Sequence, residues 1–204
     1  MVSEARGALE PFRLAVASPA LARRTQRPTT VVVLPGFGGN DLSTTPLRWY
    51  LERIGHHVEG WELGVHGRDM ETTLVRFTDR LERIVDDSGG AVALVGWSLG
   101  GVIAREAARN RPELVEQVIT FGSPIRSGDI RHRNNRPIRV PVTTIYSRRD
   151  AVVDWRDAVD SSTDAVNVEV SSSHIGLGVD PDVWRTIADA LDGYSDLPRR
   201  RRAP

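Results

Sequence analysis

The stretch from Val92 to Gly101, VALVGWSLGG, places the strongest constraint on how this chain folds. Its opening apolar run is rich in β-branched residues and predicts a strand buried on both faces. The run ends in a Gly-X-Ser-X-Gly motif centred on Ser98, and residues 102–109 have the character of a helix. A strand, a tight turn and a helix are the context in which this motif holds a serine at the end of a sheet.

The two glycines that flank Ser98 have a steric explanation. A serine on so sharp a turn adopts strained backbone angles, and a Cβ atom at Gly96 or Gly100 would collide with the neighbouring strand or helix. The helix that follows directs free backbone N–H groups and the positive end of its dipole at the serine. This environment favours negative charge beside Ser98, as the intermediate of an acyl transfer requires.

Composition excludes several kinds of chemistry. The 27 basic residues balance 27 acidic ones, so the charge does not indicate binding to nucleic acid or to an anionic membrane. All basic residues are arginine, which excludes a lysine Schiff base and a pyridoxal phosphate anchor. Cysteine is absent, which excludes disulfides, thiolate zinc sites and thiol nucleophiles, and which fits a reducing compartment.

The sequence also bears on localisation. No apolar run approaches the roughly 20 residues of a membrane-spanning helix, so we expect no stable membrane insertion. The alanine-rich segment 12–22 resembles a signal peptide only weakly, because Glu4 and Glu10 precede it and Pro19 interrupts it. We therefore expect a cytoplasmic protein, with secretion left open.

The chain length of 204 residues suits one domain. We predict an N-terminal arm over 1–28, a domain over 29–193 and a basic, disordered tail over 194–204. The predicted strands cover residues 29–34, 57–63, 92–95, 114–121, 140–147 and 166–170, and the predicted helices cover 40–53, 70–85, 102–109 and 182–191. This alternation predicts an α/β fold with an open, mostly parallel sheet of about six strands and helices on both faces.

Ligands of such sheets bind beyond the carboxyl ends of the strands. Five predicted strand ends carry suggestive residues: the glycine-rich loop 35–39, Ser98, the segment 122–124, Asp150 with Asp154, and His174. A serine needs a base to take its proton, and histidine suits this role near neutral pH. The histidine needs a carboxylate that fixes its tautomer and stabilises the imidazolium. The chain therefore offers a nucleophile, an acid and a base in this order.

Two of these positions have rivals. His66 also follows a predicted strand end and competes with His174 as the base. Asp154 competes with Asp150, which we favour because it comes sooner after its strand and precedes apolar residues that can hold it in place. The remaining histidines and several acids are expected to be solvated: His56, His57, His132, Asp160 and Asp164. The arginines between 126 and 139 are expected in a solvated loop, or else bind an acidic group of a substrate.

The motifs together resemble the α/β-hydrolase superfamily in its lipase and esterase branch. The similarity covers roughly residues 29–193 and rests on five motifs: Pro35-Gly36-Phe37-Gly38-Gly39, Gly96-Trp97-Ser98-Leu99-Gly100-Gly101, Phe121-Gly122-Ser123-Pro124, Ser147-Arg148-Arg149-Asp150-Ala151-Val152-Val153 and Ser173-His174-Ile175-Gly176-Leu177. The resemblance implies that Ser98 is the nucleophile, Asp150 the acid and His174 the general base. It also implies an oxyanion hole formed by the backbone N–H groups of Phe37 and Leu99.

The candidates for the wall of the pocket are Gly36, Trp97, His66 and Pro124. The chain departs from larger lipases because Pro35 replaces the usual histidine and the segment 125–139 is too short for a large lid. The first two strands of the full sheet also lack a counterpart, unless residues 8–17 supply one. These features favour a small member of the superfamily without a lid.

The resemblance implies a serine hydrolase that cleaves carboxylic esters through an acyl-enzyme, without a cofactor or a metal. Its substrate would be a small-molecule or lipid ester. An acyltransferase or a thioesterase with the same triad is the first alternative. A binding protein that has this fold but no catalytic activity is the alternative of another class, because a fold alone does not define a function.

Overall fold

The computed structural model describes residues 23–126, 137–162 and 164–193. Along these residues lie the strands β1 (Thr30–Leu34), β2 (His57–Glu59), β3 (Val92–Trp97), β4 (Val115–Phe121), β5 (Val142–Ser147) and β6 (Val166–Val170). The α-helices are α1 (Asp41–Ile54), α2 (Met70–Ser88), α3 (Leu99–Asn110), α4 (Trp155–Ala158) and α5 (Pro181–Leu191). Short 3₁₀ helices cover Pro112–Leu114 and Gly176–Val179.

The strands form one sheet in the order β2-β1-β3-β4-β5-β6, and every neighbouring pair is parallel. Val95 of β3 pairs with Val33 of β1 on one side and with Ile119 of β4 on the other. Because the strands are parallel, all their carboxyl ends lie along one edge of the sheet. The strand order reverses between β1 and β3, which is where a ligand crevice opens in sheets of this kind. The predicted fold class is thus confirmed.

Helices cover both faces of the sheet. Val31 of β1 belongs to a buried core shared with α1 and α5, whereas the next residue, Val32, belongs to a second core shared with α2 and α3. Both faces of the central strands are therefore buried, which explains their continuous apolar sequences.

Strand β2 is shorter than the predicted 57–63, because residues beyond Glu59 form hydrogen bonds with the first turn of α1. The backbone N–H groups of Trp61 and Glu62 donate to the Asp41 carboxylate at 2.8 and 3.0 Å. Glu62 adopts the left-handed backbone conformation, with φ of 51°. These contacts turn the chain out of the sheet, so the ladder with β1 ends at Glu59.

The described part of the predicted arm, residues 23–28, is bound to the domain. The Thr25 N–H donates to the Ile54 carbonyl at 2.8 Å, and Arg23 forms an ion pair with Asp192 at 2.6 Å. The remaining predictions for the arm, the tail over 194–204, His132 and most of the segment 125–139 fall outside the described residues. Among the described helices, none combines the length and the apolar character that crossing a membrane would require.

Two residues that were expected to be solvated are buried instead. His56 is 5% exposed and directly follows Gly55, the residue that caps the C-terminus of α1. Asp160 forms a buried ion pair with Arg105 of α3, with 2.6 Å between the two charged groups. Burial by itself would raise the pKa of Asp160, but the Arg105 charge and hydrogen bonds from Ser162 hold it below its usual value. The partner of Asp160 lies 55 residues away in the chain, so local sequence carries no signal for this pair.

Buried His56 should make the protein sensitive to acid. Burial lowers the pKa of His56 below its usual 6.5, although the carboxylates of Asp192 and Glu116 oppose this shift. As the pH falls below 6.5, the unfolded chain takes up this proton before the folded protein does. The free energy of unfolding is therefore highest above the pKa that His56 has in the unfolded chain. It falls as the pH decreases towards the lower pKa that His56 has in the folded protein.

We expect His56→Leu to reduce the fall in melting temperature between about pH 7 and about pH 5. The matched control is His57→Leu, since His57 is the exposed neighbour of His56. The control should retain the acid sensitivity of the wild type. Equal acid sensitivity in the His56 variant and the wild type would contradict this prediction.

Candidate active site

Ser98 occupies a strained turn between the last residue of β3 and the first residue of α3. Its backbone angles are φ 52° and ψ −120°, a conformation that L-residues rarely adopt. A Cβ atom at Gly96 would overlap the Gly101 Cα atom, and one at Gly100 would lie 2.6 Å from the Leu34 carbonyl oxygen. The steric explanation for the two flanking glycines is therefore correct, because the elbow has no room for a side chain at either position.

The structure brings Ser98, His174 and Asp150 into one hydrogen-bonded chain. His174 Nε2 lies 3.1 Å from Ser98 Oγ, and His174 Nδ1 lies 2.7 Å from Asp150 Oδ2. The three side chains come from the carboxyl ends of β3, β6 and β5, which are separate points in the sequence. The tautomer with a proton on Nδ1 donates to Asp150 and leaves Nε2 free to accept the Ser98 hydroxyl proton.

The Asp150 carboxylate is held by its own loop. Its second oxygen, Oδ1, accepts hydrogen bonds from the N–H groups of Val152 and Val153, each at 2.8 Å. The carboxylate is therefore oriented with Oδ2 towards His174 and is 2% exposed. This arrangement satisfies a buried carboxylate and leaves one oxygen for the imidazole.

Asp154, the rival acid, has a different task. Its side chain accepts a hydrogen bond from the Arg156 N–H at 2.8 Å and so caps the short helix α4. The side chain is 56% exposed, and its charged partner at 3.4 Å is the Arg156 guanidinium. The geometry therefore favours Asp150 over Asp154 as the partner of His174.

The glycine-rich loop after β1 lies against Ser98. A Cβ atom at Gly36 would lie 3.2 Å from the Ser98 Cβ atom, so Gly36 lets the loop approach the serine closely. Leu99 lies in the first turn of α3, where backbone N–H groups have no partner within the helix. The Phe37 side chain is 54% exposed, and the Arg68 guanidinium lies 5.2 Å from the centre of its ring. Phe37 and Leu99 thus remain the candidates for the oxyanion hole.

His66 does not line the pocket, which corrects the sequence assignment. The side chain is fully buried, with Nδ1 2.9 Å from the Pro35 carbonyl and the ring 4.6 Å from that of Trp61. Its backbone also exchanges hydrogen bonds of 2.8 and 2.9 Å with Gly39 and Gly38. Burial lowers the pKa of His66, although the bond to Pro35 opposes the shift. Neutral His66 therefore supports the glycine-rich loop through its contact with the Pro35 carbonyl, and it does not compete with His174 as the base.

Trp97 and Pro124, the other two candidates for the pocket wall, are both half-buried. The Trp97 ring stacks on Phe121, with the ring centres 6.1 Å apart, and lies at the same distance from the His174 ring. Trp97 therefore contributes to packing and to the position of the histidine at once. Pro124 lies three residues after the end of β4.

Gly122 has a role that could not be predicted from its place in the sequence. It adopts φ of +57°, and a Cβ atom there would lie 3.3 Å from both Asp150 Oδ2 and His174 Nδ1. The same atom would lie 2.7 Å from the Leu177 side chain. Gly122 thus leaves room for the hydrogen bond between the acid and the base. The sequence shows only that a glycine directly follows a buried strand.

The fold and the site together define an α/β protein that carries a serine, a histidine and an aspartate on one sheet edge. The sequence profile of the Alpha/beta hydrolase family matches residues 8–203. The chain therefore belongs to the alpha/beta hydrolase family, and the predicted superfamily is confirmed.

Curated relatives carry the names of esterases. The chain is 32% identical over 113 residues to the pimeloyl-[acyl-carrier protein] methyl ester esterase of Aliivibrio fischeri strain MJ11, an alignment that covers 53% of this chain and 42% of the relative. It is also 32% identical over 94 residues to the enzyme of the same name from Shewanella woodyi, which covers 46% of this chain and 35% of the relative. The chain thus spans less than half the length of these relatives.

Solved structures share the fold. The mature form of a Bacillus licheniformis lipase superposes with a TM-score of 0.65 at 15% identity, over 83% of this chain and 96% of the lipase. A thioesterase domain from the curacin biosynthetic pathway gives a TM-score of 0.57 at 16% identity, over 82% of this chain and 92% of that domain. At these identities the likeness concerns the fold alone.

Proposed function

We propose that this protein hydrolyses carboxylic esters, with Ser98 as the nucleophile, His174 as the general base and Asp150 as the orienting acid. The observation that carries the proposal is the continuous chain from Ser98 Oγ through His174 to Asp150, with distances of 3.1 and 2.7 Å. Hydrogen-bond distances of this size suit a serine, histidine and carboxylate triad. The esterase names of the curated relatives support the same reaction class.

The reaction proceeds in two acyl-transfer steps. Ser98 Oγ attacks the ester carbonyl carbon while His174 Nε2 takes the hydroxyl proton. The tetrahedral intermediate then collapses, the carbon–oxygen bond to the alcohol breaks, and His174 returns the proton to the leaving alcohol. A water molecule next attacks the acyl-enzyme and gives its proton to His174. The acid departs as the proton returns to Ser98 Oγ, which restores the starting state.

The neighbouring groups stabilise the charges that develop. The backbone N–H groups of Phe37 and Leu99 donate to the oxyanion of the intermediate. Removal of one such donor typically costs about 10²–10³ in turnover. Asp150 stays ionised, keeps the Nδ1 proton on His174 and stabilises the imidazolium. Three exposed apolar side chains belong to these residues or lie within two positions of them in the sequence, and they favour an ester with an apolar part: Phe37, Val152 and Ile175.

Labelling with a fluorophosphonate, followed by peptide mapping, tests the proposal. We expect labelling at Ser98, and hydrolysis of p-nitrophenyl esters that depends on the length of the acyl chain. An active enzyme that labels at another residue would contradict the assignment of the nucleophile. Absence of both labelling and hydrolysis would favour a binding protein with this fold.

Matched thioesters and added alcohol acceptors separate the remaining alternatives. Faster turnover of a thioester than of the oxygen ester with the same acyl group would favour a thioesterase. Transfer of the acyl group to the alcohol in preference to water would favour an acyltransferase.

A further inference from the structure

Ser147 is the last residue of β5 and lies where two functional loops diverge. The ladder between β5 and β6 ends with Ser147 opposite Val170. Beyond this pair, one chain continues into the loop of Asp150, and the other continues into the loop of His174. The backbone ladder therefore does not hold these two loops at a set distance from each other.

The Ser147 hydroxyl joins the two loops directly. It donates a hydrogen bond to the Ser172 carbonyl at 2.6 Å and accepts one from the Ser172 N–H at 3.2 Å. It also accepts a hydrogen bond from the Arg149 N–H at 3.0 Å. A hydroxyl has one donor and two acceptor sites, so these contacts use its full capacity. Ser147 and Ser172 are each 1% exposed, and water cannot readily replace the hydroxyl.

The bridge between Ser147 and Ser172 lies close in sequence to both the acid and the base. Ser147 precedes Asp150 by three residues, and Ser172 precedes His174 by two. The other bonds of the Asp150 carboxylate, from Val152 and Val153, stay within its own loop. These bonds orient the carboxylate but do not link it to the loop of the histidine.

We propose that Ser147 is a positioning residue that sets the hydrogen bond between Asp150 and His174. It acts through the loops 147–153 and 171–177 and touches neither the substrate nor the reacting atoms. The inference rests on the proposed function, because this hydrogen bond affects the rate only if His174 is the base. Small losses of alignment in a catalytic group reduce turnover strongly, since geometry contributes much of the rate enhancement.

The test compares Ser147→Ala with Thr144→Val. Thr144 lies on the same strand three residues before Ser147, is fully buried, and donates its hydroxyl to Asn167 Oδ1 of β6 at 2.5 Å. We expect Ser147→Ala to lower kcat for p-nitrophenyl acetate by about tenfold with little change in KM. The low-field proton resonance of His174 Nδ1, which reports its bond to Asp150, should shift or broaden. Thr144→Val should keep both the wild-type kcat and the wild-type resonance.

A stable Ser147→Ala protein with wild-type kcat and an unchanged His174 resonance would overturn the inference and leave Ser147 a purely structural role. If the alanine variant does not fold, the same measurements are made on Ser147→Cys, whose thiol is a weaker hydrogen-bonding group. The resonance needs no turnover. A wild type without esterase activity would therefore refute the proposed function, while the spectrum would still test the bridge.

Discussion

Replacement of Ser98 by alanine is expected to abolish ester hydrolysis, with a loss in kcat on the order of 10⁶-fold. The reason is that, among the described residues, Ser98 Oγ is the hydroxyl that lies within hydrogen-bond distance of His174 Nε2, at 3.1 Å, and so can attack the carbonyl. Binding of the ester substrate should persist, because the substitution leaves the backbone N–H groups of Phe37 and Leu99 in place. The measurement is the hydrolysis rate of p-nitrophenyl acetate, together with fluorophosphonate labelling.

The control for this prediction is again Thr144→Val, which removes a buried hydroxyl from the interior of the same sheet. This control should hydrolyse the ester and take the label as the wild type does. A Ser98→Ala protein that retains substantial hydrolysis, at a purity that excludes a contaminating esterase, would refute the mechanism.

Asp150→Asn is expected to lower kcat by about 10⁴-fold while the protein stays folded. Asparagine keeps the shape of the side chain, but its amide lacks the charge that stabilises the imidazolium. Where the amide presents its NH₂ group to His174, it also favours the wrong tautomer. The Oδ1 contacts with Val152 and Val153 can persist, since an amide oxygen also accepts hydrogen bonds.

Asp154→Asn is the matched control for this second prediction. Asp154 carries the same charge, lies four residues further along the chain and caps α4 from an exposed position. Its replacement should leave kcat within a few-fold of the wild type, since asparagine is an equally good helix cap. A larger loss for Asp154→Asn than for Asp150→Asn would assign the acid to Asp154.

The main features of the site could be predicted from the sequence because their signals are local. The buried strand, the two glycines and the helix around Ser98 lie within eighteen consecutive residues of the sequence, 92–109. The elbow needs those residues wherever it occurs, because its geometry excludes a Cβ atom at Gly96 and Gly100. The residues that follow the other strands could be grouped because parallel strands bring their carboxyl ends to one edge.

Other features could not be predicted, because they depend on contacts between distant segments. His66 follows a strand end just as His174 does, yet its ring is buried under the glycine-rich loop against Trp61. Asp160 belongs to a buried ion pair only because Arg105 of α3 packs against it. A histidine or an aspartate has the same local signature in a pocket, in a core or on a surface.

The amino-acid sequence by itself determined the order of the six strands and the four longer helices, the elbow at Ser98 and the set of candidate side chains at the strand ends; the short helix α4 was not among its predictions. Only the tertiary structure decided which histidine meets the serine, which acid meets that histidine, and what supports the glycine-rich loop. It also showed that Gly122 leaves room for the contact between Asp150 and His174 and that Ser147 joins the two loops that carry them. The physical reason is range. Backbone propensities and hydrophobic periodicity act over a few residues, whereas a hydrogen bond of 2.7 Å between residues 24 positions apart depends on the packing of the whole sheet edge.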